Sequence, residues 1–217
     1  MIAAAYERIS DAVTPLSDDD LIRPTRCRGW TVADLLFHVL LDAQRALVAF
    51  ASPAPGPADV DFATYWRPFR PGTGEGARRR HARWTRIQAS AYEEPSGVVR
   101  HWLDTAPAAV RAAAAAPVDG YVTTQGHVLS VPDFVTTLAV EAAVHHLDLV
   151  VDLPNAPPPA AEPLAAACAT LDALLDGPRP PSWDDETYVL KGTGRLPLTA
   201  DERSALGPVA DRFPLLG

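Results

Sequence analysis

Between Leu138 and Asp148 the chain reads Leu-Ala-Val-Glu-Ala-Ala-Val-His-His-Leu-Asp, an apolar helical stretch with Glu141 and His145 set into it. A helix that is apolar on nearly every side belongs inside a bundle rather than on its surface. A carboxylate cannot be left there alone, because burying an unpaired charge costs several kcal/mol. The four-residue spacing puts Glu141 and His145 on one helix face, where both could reach a single ion. A second stretch repeats the theme: His38 is flanked by Leu35, Leu36, Phe37, Val39, Leu40 and Leu41. Ionisable groups on otherwise core-like helix faces are how bundles build metal sites. Taken singly, the same residues also fit an ion-paired helix surface or a core histidine with a hydrogen-bond partner.

Ile2, Tyr6, Ile9 and Val13 recur at helical spacing, which predicts an amphipathic first helix. Thr31 and Asp34 read as a capping box that starts a helix running to about Phe50, followed by a Pro-rich linker over Ala51–Pro57. Residues 61–116 read as mostly helical, with breaks at Pro68, Pro71, Gly72-Thr73-Gly74 and Pro95. Pro107 marks either a helix start or a kink. Tyr121–Leu129 is β-branched around a Gly turn and predicts a short hairpin or extended arm. Ser130, with Asp133 and Pro132, then caps the helix that carries Glu141 and ends before Pro154. Pro157, Pro158, Pro159 and Pro163 suggest a boundary. Beyond it come a helix over Leu164–Leu175, a β-hairpin over Tyr188–Leu198, and a last helix behind a Thr199/Glu202 capping box. The reading is mainly α: a helical bundle over residues 1–154 with a small α/β extension over 155–217.

With 217 residues the chain has room for one domain and a small appendage. Nineteen basic against 27 acidic residues, a net charge of -8, argue against a nucleic-acid partner. The run Arg78-Arg79-Arg80-His81-Ala82-Arg83 with Arg86 therefore reads as a solvated helix face. Two distant cysteines exclude a disulfide scaffold, and the absence of a leader pattern or a long apolar run predicts a cytoplasmic protein with no membrane partner. Cys27, between Arg26 and Arg28, is a candidate nucleophile without a positioned base, while Cys168 reads as a small buried residue. His146 lies about 100° around the helix from His145 and should miss a shared ion. His81, His101 and His127 have no ligand partner at local spacing, although His101 could fold in from a third helix and His127 could touch substrate from its arm. Trp66, Trp84 and Trp102 read as core and cleft wall.

The segment Gly29-Trp30-Thr31-Val32-Ala33-Asp34-Leu35-Leu36-Phe37-His38 resembles the GWT-V-x-D-L-x-x-H opening of the mycothiol-dependent maleylpyruvate isomerase family, within the DinB-like superfamily. Glu141, His145 and Asp148 fill that family's second motif, E-x-x-x-H-x-x-D. The resemblance covers residues 1 to about 153 and implies a DinB-like four-helix bundle. It further implies a divalent ion, usually zinc, held by His38, Glu141 and His145, and mycothiol as thiol cosubstrate. Asp42, one turn after His38, and Asp148, three residues after His145, are then candidate acceptors for the imidazoles, and Asp42 fits a solvated surface acid equally well. The family's isomerases carry a C-terminal α/β domain that contributes to the active site; here that part is short, and Arg195 and Arg212 are its candidate anion-binding residues. The expected function is a metal-dependent mycothiol S-transferase or isomerase acting on a small electrophile through a thiolate. Two alternatives stay open: a thiol-independent zinc hydrolase or lyase, and a non-catalytic metal- or ligand-binding bundle.

Overall fold

The structure, a computed structural model, describes residues 1–69, 74–153, 155–175, 177, 179–180 and 182–217. The breaks expected at Pro71, Gly72 and Thr73 and the boundary residue Pro154 lie outside the described residues.

The expected first helix, α1, spans Ile2–Val13 and buries all four of its spaced apolar residues. A short α2 (Asp18–Leu21) precedes α3 (Val32–Phe50). The Thr31/Asp34 capping box forms as the sequence predicts: Asp34 N–H donates to Thr31 Oγ1 at 3.2 Å and Thr31 N–H to Asp34 Oδ2 at 2.9 Å. The first strand, β1 (Pro53–Ala54), falls within the stretch read as linker. After a 3-10 turn at Thr64–Phe69 come α4 (Glu75–Ala89) and α5 (Ser96–Ala115), the latter with Pro107 in its interior. The predicted hairpin is present as β2 (Tyr121–Thr124) and β3 (His127–Ser130); β1 pairs antiparallel with β2, making a three-stranded sheet in the order β1-β2-β3. Ser130 caps α6 (Val131–Leu149), accepting from Asp133 N–H at 3.2 Å.

Helices α1, α3, α5 and α6 pack together as the bundle, and α4 lies along α3. Their interface is a single apolar core in which Tyr6 meets Trp102 edge-on at 5.0 Å, and the buried Trp102 indole donates to Ser10 Oγ at 2.9 Å. Helix α6 is buried along most of its circumference, as its all-round apolar composition requires. Among the described residues no helix is long and apolar enough to cross a membrane.

The molecule is mainly helical with a small sheet, and the sheet lies before residue 131. The hairpin expected at Tyr188–Leu198 is instead α8 (Asp185–Gly192), preceded by α7 (Ala161–Leu175). The reason is local. Asp184 accepts from Thr187 N–H at 2.7 Å as an N-cap, and Asp185 and Glu186 sit in the first turn, where carboxylates favour the helix dipole. Gly192 closes the helix under Leu171, so tightly that an added Cβ would lie 2.7 Å from its Cδ1. The chain then turns through Gly194 at φ 73° into α9 (Ala200–Leu206), which has the predicted Thr199/Glu202 capping box. Helix α7 packs on α6 and α1, and α8 packs on α7 and α6, so the distal segment lies against the helix that carries Glu141 and His145.

Candidate metal centre

Helix α3, the loop from Arg23 to Trp30 and the turn that carries Arg195 meet the Glu141–Asp148 stretch of α6. The loop from Arg23 to Trp30 is closed by the hydrogen bonds Thr25 N–H to Trp30 O (3.0 Å) and Trp30 N–H to Cys27 O (2.9 Å). Gly29 makes the turn at φ 81°, a left-handed conformation that glycine adopts without steric cost. Arg26 N–H donates to Asp148 O at 3.0 Å, which ties this loop to the end of α6 and places Cys27 beside it.

The predicted ligands meet. One ligand atom from each of His38, Glu141 and His145 lies within 4.8 Å of the other two. The two imidazoles stand edge to face, ring centroids 4.8 Å apart and planes at 88°. His145 Nε2 is 3.1 Å from Glu141 Oε2. Nitrogen and oxygen ligands held at about 2.0–2.2 Å around a tetrahedral zinc stand roughly 3.3 Å apart, so small side-chain shifts would close the set around one ion. Two imidazoles and one carboxylate suit zinc or a similar divalent ion and leave coordination positions open. The residues present therefore fit the implied group.

Behind His145 lies its support. Asp148, fully buried, is 3.1 Å from His145 Nδ1, as the sequence reading expects. It is also gripped by Arg195, whose Nε lies 3.2 Å from both carboxylate oxygens and whose second nitrogen donates to Oδ2 at 3.0 Å. The Cys27 thiol donates to the same Oδ2 at 3.2 Å. A forked guanidinium on a carboxylate is among the stronger pairings available to a protein. Cys27, His145 and Asp148 form a second ligand-like cluster, but the lone pairs of Asp148 are already committed to these donors.

The electrostatics follow from burial and these partners. Burial, with the charge of His145 adding to it, pushes the His38 imidazole down to about 3, so it presents a neutral lone pair. Burial opposes the charged form of His145 too, but hydrogen bonds to Asp148, Cys27 and Glu141 overcome it and hold the ring well above its ordinary value. Glu141 would be raised by burial, yet its hydrogen bond to His145 and the nearby charges carry it down to about 2. Asp148, likewise opposed by burial, is held far below the usual carboxylate range by His145 and Arg195.

Other candidates fall elsewhere. Asp42 is paired with Arg45, which reaches back three residues to its Oδ1 at 2.5 Å, and among the described residues Oδ2 has no hydrogen-bond partner and no imidazole is bonded to Asp42. Burial and the charge of Glu141 push Asp42 up to about 7, with Arg45 opposing. Arg195 lines the cavity, yet its hydrogen bonds run inward to Asp148 and to Thr193 O (3.0 Å), so it supports the centre instead of standing free for an anion. Arg212 donates to Leu174 O at 3.1 Å, and His127 lies 3.5 Å from Asp59; neither lines the cavity. His101 bonds to Gln44 and Tyr92 and stays away from the centre, while His146 donates to Pro157 O at 2.8 Å.

A cavity of about 550 Å³ opens over the cluster, walled by Trp30, Tyr65, Trp66 and Phe69 as well as by the three ligands. Sequence reasoning missed one residue here. His81, on α4, lies with its Nε2 3.3 Å from His38 Nδ1 and also lines the cavity. Its only sequence signal is an imidazole within an arginine-rich helix, and no spacing rule connects it to His38.

The fold and site define a class: a helical bundle whose core carries a convergent His-Glu-His cluster under an aromatic-walled cavity. The model of the mycothiol maleylpyruvate isomerase N-terminal domain matches residues 2–150, and the chain belongs to this family. No curated protein and no solved structure matches the chain.

Proposed function

We propose that the protein is a metal-dependent enzyme that uses a low-molecular-weight thiol, mycothiol, on a small electrophile, with isomerisation or S-transfer as the outcome. The observation that carries this reading is the convergence of His38, Glu141 and His145 beneath an accessible cavity, in a chain of this family. His38, Glu141 and His145 would hold the ion, zinc being the expected one. When bound, such an ion lowers the pKa of a thiol and so supplies a thiolate near neutral pH.

The chain's own groups do the rest. Asp148 fixes the His145 ring through Nδ1 and leaves Nε2 for the ion, and Arg195 fixes Asp148. Trp30, Tyr65, Trp66 and Phe69 exclude water from one wall of the cavity, which strengthens every charge interaction inside it. Asp42, raised toward neutrality beside Glu141, can hold or release a proton at Oδ2 in the working pH range. We also infer a division near residue 154, with the 155–217 unit supplying Arg195, and a cytoplasmic setting where a thiol cosubstrate stays reduced.

The test is turnover by zinc-loaded protein of maleylpyruvate and a panel of small electrophiles, with and without mycothiol. Activity that needs both thiol and metal, and that His38→Ala abolishes, supports the reading. Activity without thiol points to a zinc hydrolase or lyase, and metal binding without any turnover points to a non-catalytic bundle.

A further inference from the structure

We propose that His81 is a positioning residue for the metal centre: its Nε2 accepts the proton of His38 Nδ1 and thereby presents His38 Nε2 to the ion. This rests on the metal-site reading above. His145 already has a carboxylate at the nitrogen turned away from the cluster. His38 has no carboxylate in that position, since Asp42 is taken by Arg45. Its Nδ1 has one hydrogen-bond partner among the described residues, His81 Nε2 at 3.3 Å.

A metal-bound imidazole nearly always donates its other N–H to an acceptor, which fixes the tautomer and the ring plane. A neutral imidazole can act as that acceptor, because one of its two nitrogens carries a lone pair. The His81 ring is itself held in place. It stacks on Trp84 with planes at 26° and centroids 6.1 Å apart, and Trp84 leans on Phe37 at 6.3 Å. On another side of His38 stands Trp30, at 5.3 Å. The ligand ring is thus boxed by Trp30, His145 and His81, with His81 supplying the polar contact. The arrangement also gives α4 a purpose that its charge conceals. Arg79, Arg80, Arg83 and Arg86 are exposed on this helix, while His81 reaches the candidate ligand His38.

The experiment is zinc affinity by chelator competition, with cobalt(II) absorption as a second readout, on wild type, His81→Ala and His81→Asn. His81 is exposed enough for both variants to fold, and circular dichroism of the metal-free proteins checks this. The expected result is a 10- to 100-fold loss of zinc affinity in His81→Ala, the range seen when such supports are removed. In His81→Asn the side-chain carbonyl restores the acceptor and most of the affinity, with an unchanged cobalt spectrum. Unchanged affinity in His81→Ala overturns the proposal, as does an Asn variant no better than Ala. A cobalt spectrum altered in His81→Asn overturns it in another way, by making His81 a direct ligand. Wild-type protein that binds no zinc removes the metal-site reading itself and this inference with it.

Discussion

At the scale of single residues, the centre depends on which nitrogen or oxygen is already spoken for. His145 is held protonated by Asp148, Cys27 and Glu141 when no ion is present. An ion on Nε2 must displace that proton, whereas His38 and Glu141, both shifted downward, have none to give at pH 7. Zinc uptake should therefore release about one proton per ion, and affinity should rise with pH across the neutral range. Calorimetry in two buffers of different ionisation enthalpy measures the proton count directly. Removing a donor gives a graded outcome: His38→Ala and His145→Ala should each strip zinc, while Glu141→Gln, which keeps a weakly ligating amide oxygen, should lose less. Wild-type affinity for Glu141→Gln in a chelator-competition series would show that Glu141 is no ligand, and a loss equal to that of the histidine variants would show that the amide does not substitute for the carboxylate. Asp148 adds a stability effect. Its folded-state pKa lies below the ordinary 3.8, so its contribution is present above that value and disappears as pH falls through the folded value. Asp148→Asn should cost about 3 kcal/mol at pH 7, the order found when one partner of a buried ion pair is removed. The gap between variant and wild type should narrow below pH 3.8, which urea unfolding across that range can follow.

Among the elements, the parts with a local cause were legible in sequence and the parts with a distant cause were not. The Thr31/Asp34 and Thr199/Glu202 boxes and the Ser130 cap formed where they were read, because each needs only residues three apart. Glu141 and His145 lie in contact for the same reason, one helical turn apart. The stretch 188–198 reads as a hairpin because apolar residues lie on both sides of Gly192-Thr193-Gly194, while the Asp184 cap and the acidic first turn that decide its structure lie upstream. Asp42 was assigned to His38 on spacing alone; Arg45 is equally well spaced and carries the opposite charge, and it wins. Strand β1 and His81 act across the fold, and nothing near them in the chain announces their partners. The Thr31 cap offers a test at this level. Thr31→Ala should destabilise the protein by about 1 kcal/mol, the usual value for an N-cap. It should also loosen the Cys27 loop, readable as faster amide exchange at Arg26, whose N–H is bonded to Asp148 O.

In the molecule as a whole, the bundle supplies the candidate ligands and the distal segment supplies the clamp on Asp148. Arg195 reaches Asp148 because α8 ends at Gly192 and the turn at Gly194 sends the chain back toward α6. Arg195→Gln should therefore weaken zinc binding although residue 195 touches no ligand atom. Combined with Asp148→Asn it should cost less than the sum of the two single changes, since each alone strands a buried partner. Strict additivity in that cycle, measured by unfolding and by zinc affinity, would show that the pair is not a unit.

The grip on Asp148 from both Cys27 and Arg195 also sets a timetable for biosynthesis. During translation His38, Glu141 and His145, the candidate ligands, emerge well before residue 195. A nascent chain at that stage lacks the guanidinium that steadies the last carboxylate of α6. On the proposed metal-site reading, the support of the centre is therefore completed late, once the ribosome has delivered the segment that carries Arg195.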